Sequence, residues 1–149
     1  MNAIFLDVDG VLNSMRTPSW MGDDWDIPLA KHLYQLKRIV DETGAKIVIS
    51  SSWRSHPHAM RKLELALKVF ELPIYDQTPD RNLDRPVEIR IWMAEHLEID
   101  RYVIIDDDPW EFYLDQMDKV VHTSPSSGLT AKKADLAINI LLDDNIWQN

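Results

Sequence analysis

Near its start the chain reads Ala3-Ile4-Phe5-Leu6-Asp7-Val8-Asp9-Gly10-Val11, four apolar residues that lead straight into two carboxylates and a glycine. An apolar run of this length that ends in Asp and Gly predicts a buried strand of a parallel sheet. Alternate side chains of an extended chain share a face, so Asp7 and Asp9 are expected to point together beyond the strand's carboxyl end. Two carboxylates this close need a cation or a shared proton. The stretch predicts a metal site or an acid–base pair.

Two structural alternatives explain these carboxylates less well. As a helix N-cap, an aspartate here would be followed by β-branched Val8 or by Gly10, and neither starts a good helix. An EF-hand calcium loop needs an oxygen ligand at its fifth position and Glu at its twelfth, where this chain has Val11 and Pro18. A second acidic cluster farther along the chain supports the functional interpretation.

Strands and helices alternate along the rest of the chain. Apolar runs predict further strands at 46–49, 72–75, 102–105 and 120–122. Apolar residues at helical spacing between 29 and 40 predict a first helix with Gly44 as its stop, and those between 60 and 70 predict a second with Pro57 near its start. Apolar residues between 89 and 97 predict a third helix, a helical turn is predicted at 110–117, and Thr130 is expected to cap a last helix that reaches residue 142. This order predicts a three-layer α/β/α sandwich with a mostly parallel, Rossmann-like sheet.

Length and composition describe an ordinary globular chain. With 149 residues, 45% hydrophobic and 28% charged, the chain is expected to form one domain. No apolar run approaches the length of a membrane span, and Asp7 interrupts any signal-peptide core, so a soluble cytoplasmic protein without membrane contacts is expected. The absence of cysteine excludes disulfides, thiolate metal sites and a Cys nucleophile. The net charge of −9 argues against bulk electrostatic binding of nucleic acid, although not against local capture of a strand end.

The segment 13–27 lacks any period and predicts a loop or short flap over the site. A disordered surface connection is the alternative, but Trp20 and Trp25 make it less attractive. At about fifteen residues the segment is too short for a packed cap domain, and the second gap, 76–86, is shorter still.

Polar residues follow three of the predicted strands. The strand ends carry Asp7 and Asp9, Ser50 and Ser51, and Asp106 and Asp107. Because the carboxyl ends of parallel strands share one edge of the sheet, these side chains are expected to meet. Oxygen ligands without His or Cys favour Mg²⁺ over zinc. Carboxylates, hydroxyl donors, Mg²⁺ and a cation suit phosphoryl transfer.

These motifs resemble the four motifs of the haloacid dehalogenase (HAD) superfamily: Asp7-Val8-Asp9-Gly10-Val11, the strand ending in Ser50, a basic residue before the third long helix, and Ile104-Ile105-Asp106-Asp107. The segments 5–13, 44–54 and 103–108 resemble more closely the small HAD domain of Swiss-army-knife RNA repair proteins. They are also similar to the 3′-phosphatase domain of polynucleotide kinase-phosphatases. The resemblance implies a HAD-like fold without a large cap and a Mg²⁺-dependent phosphatase.

The resemblance also implies residue roles. Asp7 would attack phosphorus and form an aspartyl-phosphate. Asp9 would protonate the leaving oxygen and then activate water, and its backbone carbonyl would join the metal. Asp106 or Asp107 would hold Mg²⁺ directly or through water. Ser50 would donate to the phosphoryl group, with Ser51 as the alternative if the strand ends one residue later.

The third motif of the superfamily usually supplies a lysine, and this sequence has none at that place. Arg85 fits best, three residues before Glu88, and Arg81 and Arg90 are the alternatives.

Substrate contacts are expected from Gly10, Ser51, Trp53 and Arg54. Arg54 would reach a substrate phosphate or pair with an aspartate. Trp53 would stack on a base or pack internally.

These observations predict an aspartyl-phosphate phosphatase whose substrate is a nucleic-acid 3′ end, RNA or DNA, or another large phosphorylated molecule. Three tryptophans would form a base platform and three arginines would contact phosphates: Trp20, Trp25 and Trp53, and Arg16, Arg54 and Arg81. A phosphatase of small nucleotides or metabolites and a catalytically idle metal-binding or interaction module are the alternatives. The sequence leaves the oligomeric state open.

Overall fold

The sheet is the centre of the fold in a computed structural model that describes residues 1–14 and 28–148. Its five strands, all parallel, are β1 (Asn2–Leu6), β2 (Lys46–Ile49), β3 (Ile74–Gln77), β4 (Arg101–Asp106) and β5 (Val120–His122). They lie in the order β3-β2-β1-β4-β5. The predicted flap, 13–27, lies outside the described residues except for Asn13 and Ser14.

Helices connect the strands. They are α1 (Ala30–Thr43), α2 (Pro57–Val69), α3 (Arg85–Ala94), α4 (Leu114–Met117), α5 (Ala131–Leu142) and α6 (Asp144–Trp147), with a short 3₁₀ helix at Ser52–Ser55. Gly44 ends α1 in the left-handed conformation, as its position predicts. Among the described residues, none of the helices is both long and apolar enough to cross a bilayer.

Two hydrophobic clusters cover the two faces of the sheet. Ile4 and Leu6 of β1 pack with α1, α2 and α5, while Ala3 and Phe5 pack with α3. Phe5 makes edge-on ring contacts with Trp92 and Tyr102, at centroid distances of 5.4 and 5.7 Å. Burial on both faces explains why β1 is apolar without alternation. The predicted α/β fold of three layers is confirmed.

Three predicted boundaries are wrong. The third strand was expected at 72–75 but lies at Ile74–Gln77, because β3 is an edge strand and accepts polar residues that a search for an apolar run passes over. Helix α3 ends at Ala94, and Leu97 is 87% exposed rather than part of its apolar face. The turn expected from residue 110 begins only at Leu114, so Trp110 belongs to the loop after β4.

Candidate active site

Three strand ends lie side by side at the carboxyl edge of the sheet. The backbone N–H of Asp7 donates to the carbonyl of Ile105 at 3.1 Å, and that of Ser50 donates to the carbonyl of Leu6 at 3.0 Å. These hydrogen bonds extend the parallel pairing of β1 with β2 and β4 beyond the strands. The chain therefore brings Asp7, Ser50 and Asp106 together from distant parts of the sequence.

A cluster of three carboxylates forms at this edge. Asp7, Asp106 and Asp107 each offer an oxygen, and these oxygens lie within 4.8 Å of one another. Burial, followed by the charge of Asp106, raises the pKa of Asp7 well above its ordinary value, although Arg85 acts in the opposite direction. Burial is also the main reason why the pKa of Asp107 is raised. The cluster is therefore suited to a divalent cation with oxygen ligands, such as Mg²⁺.

Arg85 lies in the first turn of α3 and reaches this cluster. Its Nη1 is 2.7 Å from Oδ2 of Asp106 and 3.3 Å from Oδ1 of Asp7. Burial acts to lower the pKa of Arg85, but the attraction of Asp7 and Asp106 outweighs it and raises this pKa. The guanidinium is thus a fixed cation beside the expected nucleophile.

The other two candidates for the third motif are placed differently. Arg81 is exposed, and its backbone N–H donates to Oε2 of Glu88 at 2.9 Å. Arg90 is exposed, pairs with Asp115 and lies 3.9 Å from the ring centroid of Tyr113. No contact of either side chain with the carboxylate cluster is found among the described residues.

Gly10 makes room for Asp107. Its φ is +75°, and a Cβ added there would lie 2.2 Å from Oδ2 of Asp107. Its carbonyl accepts a 2.8 Å hydrogen bond from Oγ1 of Thr123, which follows β5. Glycine is therefore required both by the backbone conformation and by the close approach of a carboxylate of the cluster.

The Asp9 carboxylate is held by two neutral donors. Nδ2 of Asn13 donates to Oδ1 at 2.9 Å, and Nε1 of Trp53 donates to Oδ2 at 3.0 Å. Asp9 is exposed, and its carboxylate is not a member of the cluster formed by Asp7 and its two partners. The Asp9 carboxylate is therefore outside the candidate metal site, and the ligand role expected of its backbone carbonyl stays a prediction.

The two candidate serines differ in their contacts. Ser50 is fully buried, and its Oγ has no hydrogen-bond partner among the described residues. Oγ of Ser51 accepts from the backbone N–H of Trp53 at 3.2 Å and caps the 3₁₀ helix. An unpaired hydroxyl beside a carboxylate cluster fits a donor to a phosphoryl oxygen, so the geometry favours Ser50.

Trp53 and Arg54 have structural partners. The ring of Trp53 is 0% exposed, so the stacking role is wrong for this conformation and the packing alternative holds. The guanidinium of Arg54 is 2.7 Å from Glu88 and 3.7 Å from Asp80, and it donates to Thr78. The pairing alternative therefore describes Arg54, with a glutamate as the nearer partner.

Two cavities share Trp110, and one of them is also lined by Arg85. A polar cavity of about 360 Å³ is lined by side chains that include Arg54, Arg85, Glu88 and Trp110. A more apolar cavity of about 550 Å³ lies on the loop after β4 and shares Trp110 with the first. The sequence patterns gave no site role to Trp110 or Glu88, because the partner of Glu88 is Arg54, which lies 34 residues away and offers no spacing signal.

Three residues expected to contact the substrate cannot be placed. Arg16, Trp20 and Trp25 lie outside the described residues.

A comparison with protein families places most of the chain in a known family. The family model described as the HAD domain in Swiss Army Knife RNA repair proteins matches residues 3–134. Searches of curated proteins and of solved structures returned no match. The matched range covers β1 from Ala3 onwards, the four other strands of the sheet and the carboxylate cluster.

Proposed function

Since the chain belongs to the family of HAD domains in Swiss Army Knife RNA repair proteins, we propose that it is a Mg²⁺-dependent phosphomonoester hydrolase that forms an aspartyl-phosphate on Asp7. The observation that carries this proposal is a buried Asp7 that lies 3.3 Å from the fixed Arg85 cation and forms one cluster with Asp106 and Asp107. A nucleophile, a charge-neutralising cation and a metal-binding pair are the parts that phosphoryl transfer needs.

The proposed reaction has two steps, the formation and the hydrolysis of the aspartyl-phosphate. A carboxylate oxygen of Asp7 attacks phosphorus, the bond to the leaving oxygen breaks, and Asp9 gives its proton to that oxygen. Asp9 then takes a proton from water, which attacks the phosphorus, breaks the bond to Asp7 and releases inorganic phosphate. Arg85 and the Ser50 hydroxyl hold phosphoryl oxygens throughout. Mg²⁺ held by Asp7, Asp106 and Asp107 would neutralise the charge of the phosphoryl group.

A nucleic-acid 3′ end is the proposed substrate. The description of the family names RNA repair, which supports a nucleic-acid substrate, and the described residues include no cap domain that would enclose a small metabolite. The net charge of −9 opposes long contacts with a polyanion, so recognition of the terminal nucleotide alone is expected.

Phosphate release from a substrate panel tests this proposal. Oligonucleotides with a 3′- or 5′-phosphate, the matching mononucleotides and sugar phosphates are compared with Mg²⁺ and with EDTA. The 3′-phosphorylated oligonucleotide should give the highest kcat/KM, with activity lost in EDTA. The Asp7→Asn variant should release no phosphate. Its matched control is Asp41→Asn, which changes an exposed carboxylate on α1 and should keep the wild-type activity.

Two results would change the conclusion. A mononucleotide or sugar phosphate that is preferred by about tenfold or more promotes the small-substrate alternative. If no substrate releases phosphate although the protein binds Mg²⁺, the result favours the alternative of a catalytically idle metal-binding module.

A further inference from the structure

We propose that the apolar cavity on the loop after β4 binds the nucleobase of the terminal nucleotide, with Trp110 as the stacking residue. This inference rests on the proposed function and specifies how the substrate is held. The cavity is formed by Pro109, Trp110, Phe112, Met117, Val120 and His122, together with Glu111.

The position of Trp110 connects this cavity to the reacting groups. Trp110 follows the metal-site residue Asp107 by three positions, on the same loop. The Cζ of Arg85 lies 5.3 Å from the centroid of the indole ring, in cation–π contact. The same guanidinium is 3.3 Å from Asp7. The Arg85 side chain therefore contacts both the ring and the nucleophile, so a nucleotide whose phosphate reaches Asp7 would bring its base towards the ring.

The lining of the cavity suits a flat, apolar group. Trp110 and Phe112 supply aromatic rings, and Met117 and Val120 supply aliphatic surface. The volume of about 550 Å³ lies within the range of small-molecule sites. The adjoining cavity, which also contains Trp110, is smaller and holds the charged groups of Arg54, Arg85 and Glu88. A nucleotide has the same two halves, a charged phosphate and a planar base.

The indole also has an unsatisfied donor. Nε1 of Trp110 is buried and has no hydrogen-bond partner among the described residues. Burial of an unpaired N–H is costly. Because the N–H lies in the plane of the indole, a base stacked on the ring face cannot accept from it, whereas a sugar or phosphate oxygen of the same nucleotide would satisfy it after a shift of the side chain. This requirement separates Trp110 from Trp53 and Trp92, whose indole N–H groups donate to aspartates.

Charge at the rim argues for a base rather than a run of phosphates. Asp108 and Glu111 are exposed beside Trp110, and their carboxylates would repel additional phosphates. Stacking on an aromatic ring does not depend on charge and tolerates any base. The cavity therefore fits one terminal nucleobase.

Binding to an inactive background tests the inference directly. Oligonucleotides with a 5′ fluorophore and a 3′-phosphate are prepared with a normal or an abasic terminal nucleotide, and their Kd values are measured by anisotropy on Asp7→Asn protein with Mg²⁺. Adding Trp110→Ala should weaken binding of the normal oligonucleotide about tenfold or more and leave the abasic one unchanged. Trp110→Phe should retain most of the affinity. Tyr34→Ala removes an exposed aromatic side chain that lines neither cavity and should change neither Kd.

Several outcomes would overturn the inference. Equal weakening for both oligonucleotides would show that Trp110 only supports Arg85, and no weakening would exclude the ring altogether. A phosphotyrosyl peptide that binds the background protein more tightly than the normal oligonucleotide would assign the cavity to a protein side chain. If wild type hydrolyses the normal and the abasic oligonucleotide with equal kcat/KM, the base site is overturned while the proposed phosphatase activity stands. If wild type hydrolyses no oligonucleotide or nucleotide, the proposed function fails as well.

Discussion

The indole Nε1 of Trp53 donates a 3.0 Å hydrogen bond to Oδ2 of Asp9, and the residue that makes this contact lies 44 positions away in the chain. Asn13 holds the other oxygen at 2.9 Å. The proposed acid–base group is therefore positioned by two neutral side chains, each of which donates to one of its carboxylate oxygens.

Trp53→Phe tests this positioning. The substitution keeps most of the packed volume but removes the donor, so Asp9 loses one of the two hydrogen bonds that fix its orientation. We expect kcat to fall about tenfold or more with little change in KM, since general acid–base catalysis contributes 10²–10⁴-fold when well positioned. Trp92→Phe is the matched control, because that buried indole also donates to a carboxylate, Asp76 at 2.8 Å, on the other face of the sheet. Equal losses in the two variants would assign the effect to packing.

Asp7→Asn should remove phosphate release and also stabilise the metal-free protein near neutral pH. Because the pKa of Asp7 is raised in the folded state, stability is greatest below the unfolded-state pKa and falls as pH rises towards the folded-state value. The variant should melt a few degrees higher at pH 7 without metal, and its melting temperature should depend less on pH. Thermal melts in EDTA between pH 4 and 8 measure both effects. Retention of a tenth of the wild-type turnover would exclude Asp7 as the nucleophile.

Mg²⁺ should raise the melting temperature of the wild type. Binding to the folded state alone stabilises by RT ln(1 + [L]/Kd), about 2.7 kcal/mol at a hundredfold excess over Kd. Asp106→Ala and Asp107→Ala should each reduce this shift, while Asp41→Ala, at an exposed position on α1, should not. If both cluster variants keep the full Mg²⁺ shift, the metal lies elsewhere.

The central strands and the site they carry were accessible from sequence, whereas the contacts between loops were not. Strand β1 is buried on both faces, so its apolar run is a direct signal, and the strand ends then bring Asp7, Ser50 and Asp106 to one edge. The edge strand β3 has one neighbouring strand and tolerates polar residues, so the apolar run predicts its position two residues too early in the chain.

The contacts between loops have no comparable signal in the pattern of apolar residues. The hydrogen bond from Trp53 to Asp9 depends on the 3₁₀ turn after β2, and the contact of Trp110 with Arg85 depends on the extended path after β4. Residue spacing gives neither of these paths, and the same tryptophans were equally compatible with core packing or base stacking. Side-chain geometry was needed to separate the two roles.

Gly10→Ala should disrupt the metal site, and Gly44→Ala is a close control. Both glycines have positive φ, +75° and +69°, so each substitution carries a backbone cost of about 1 kcal/mol. Only at Gly10 does the new Cβ meet another group, Oδ2 of Asp107 at 2.2 Å, whereas nothing lies within 4 Å at Gly44. We therefore expect Gly10→Ala alone to weaken the Mg²⁺-induced rise in melting temperature. The same Mg²⁺ response in both variants would show that Asp107 moves aside without consequence for the metal.

Arg85→Ala should lower turnover far more than Arg81→Ala or Arg90→Ala. Arg85 is buried between Asp7 and Asp106, where its charge acts on the phosphoryl group without screening by water. We expect a loss in kcat of about a hundredfold or more, while the exposed Arg90–Asp115 pair and the exposed Arg81 should each change kcat by less than about threefold.

Folding and catalysis must be separated for the Arg85 variant, because its removal leaves two carboxylates unpaired in a buried site. Melting curves with saturating Mg²⁺ identify the folded fraction, and kcat is compared only on folded protein. Arg85→Lys keeps the charge but not the two-pronged guanidinium, so it should restore part of kcat. Equal small losses in the three alanine variants would mean that no arginine here fills the third motif. The charge opposite Asp7 would then have to come from the metal alone.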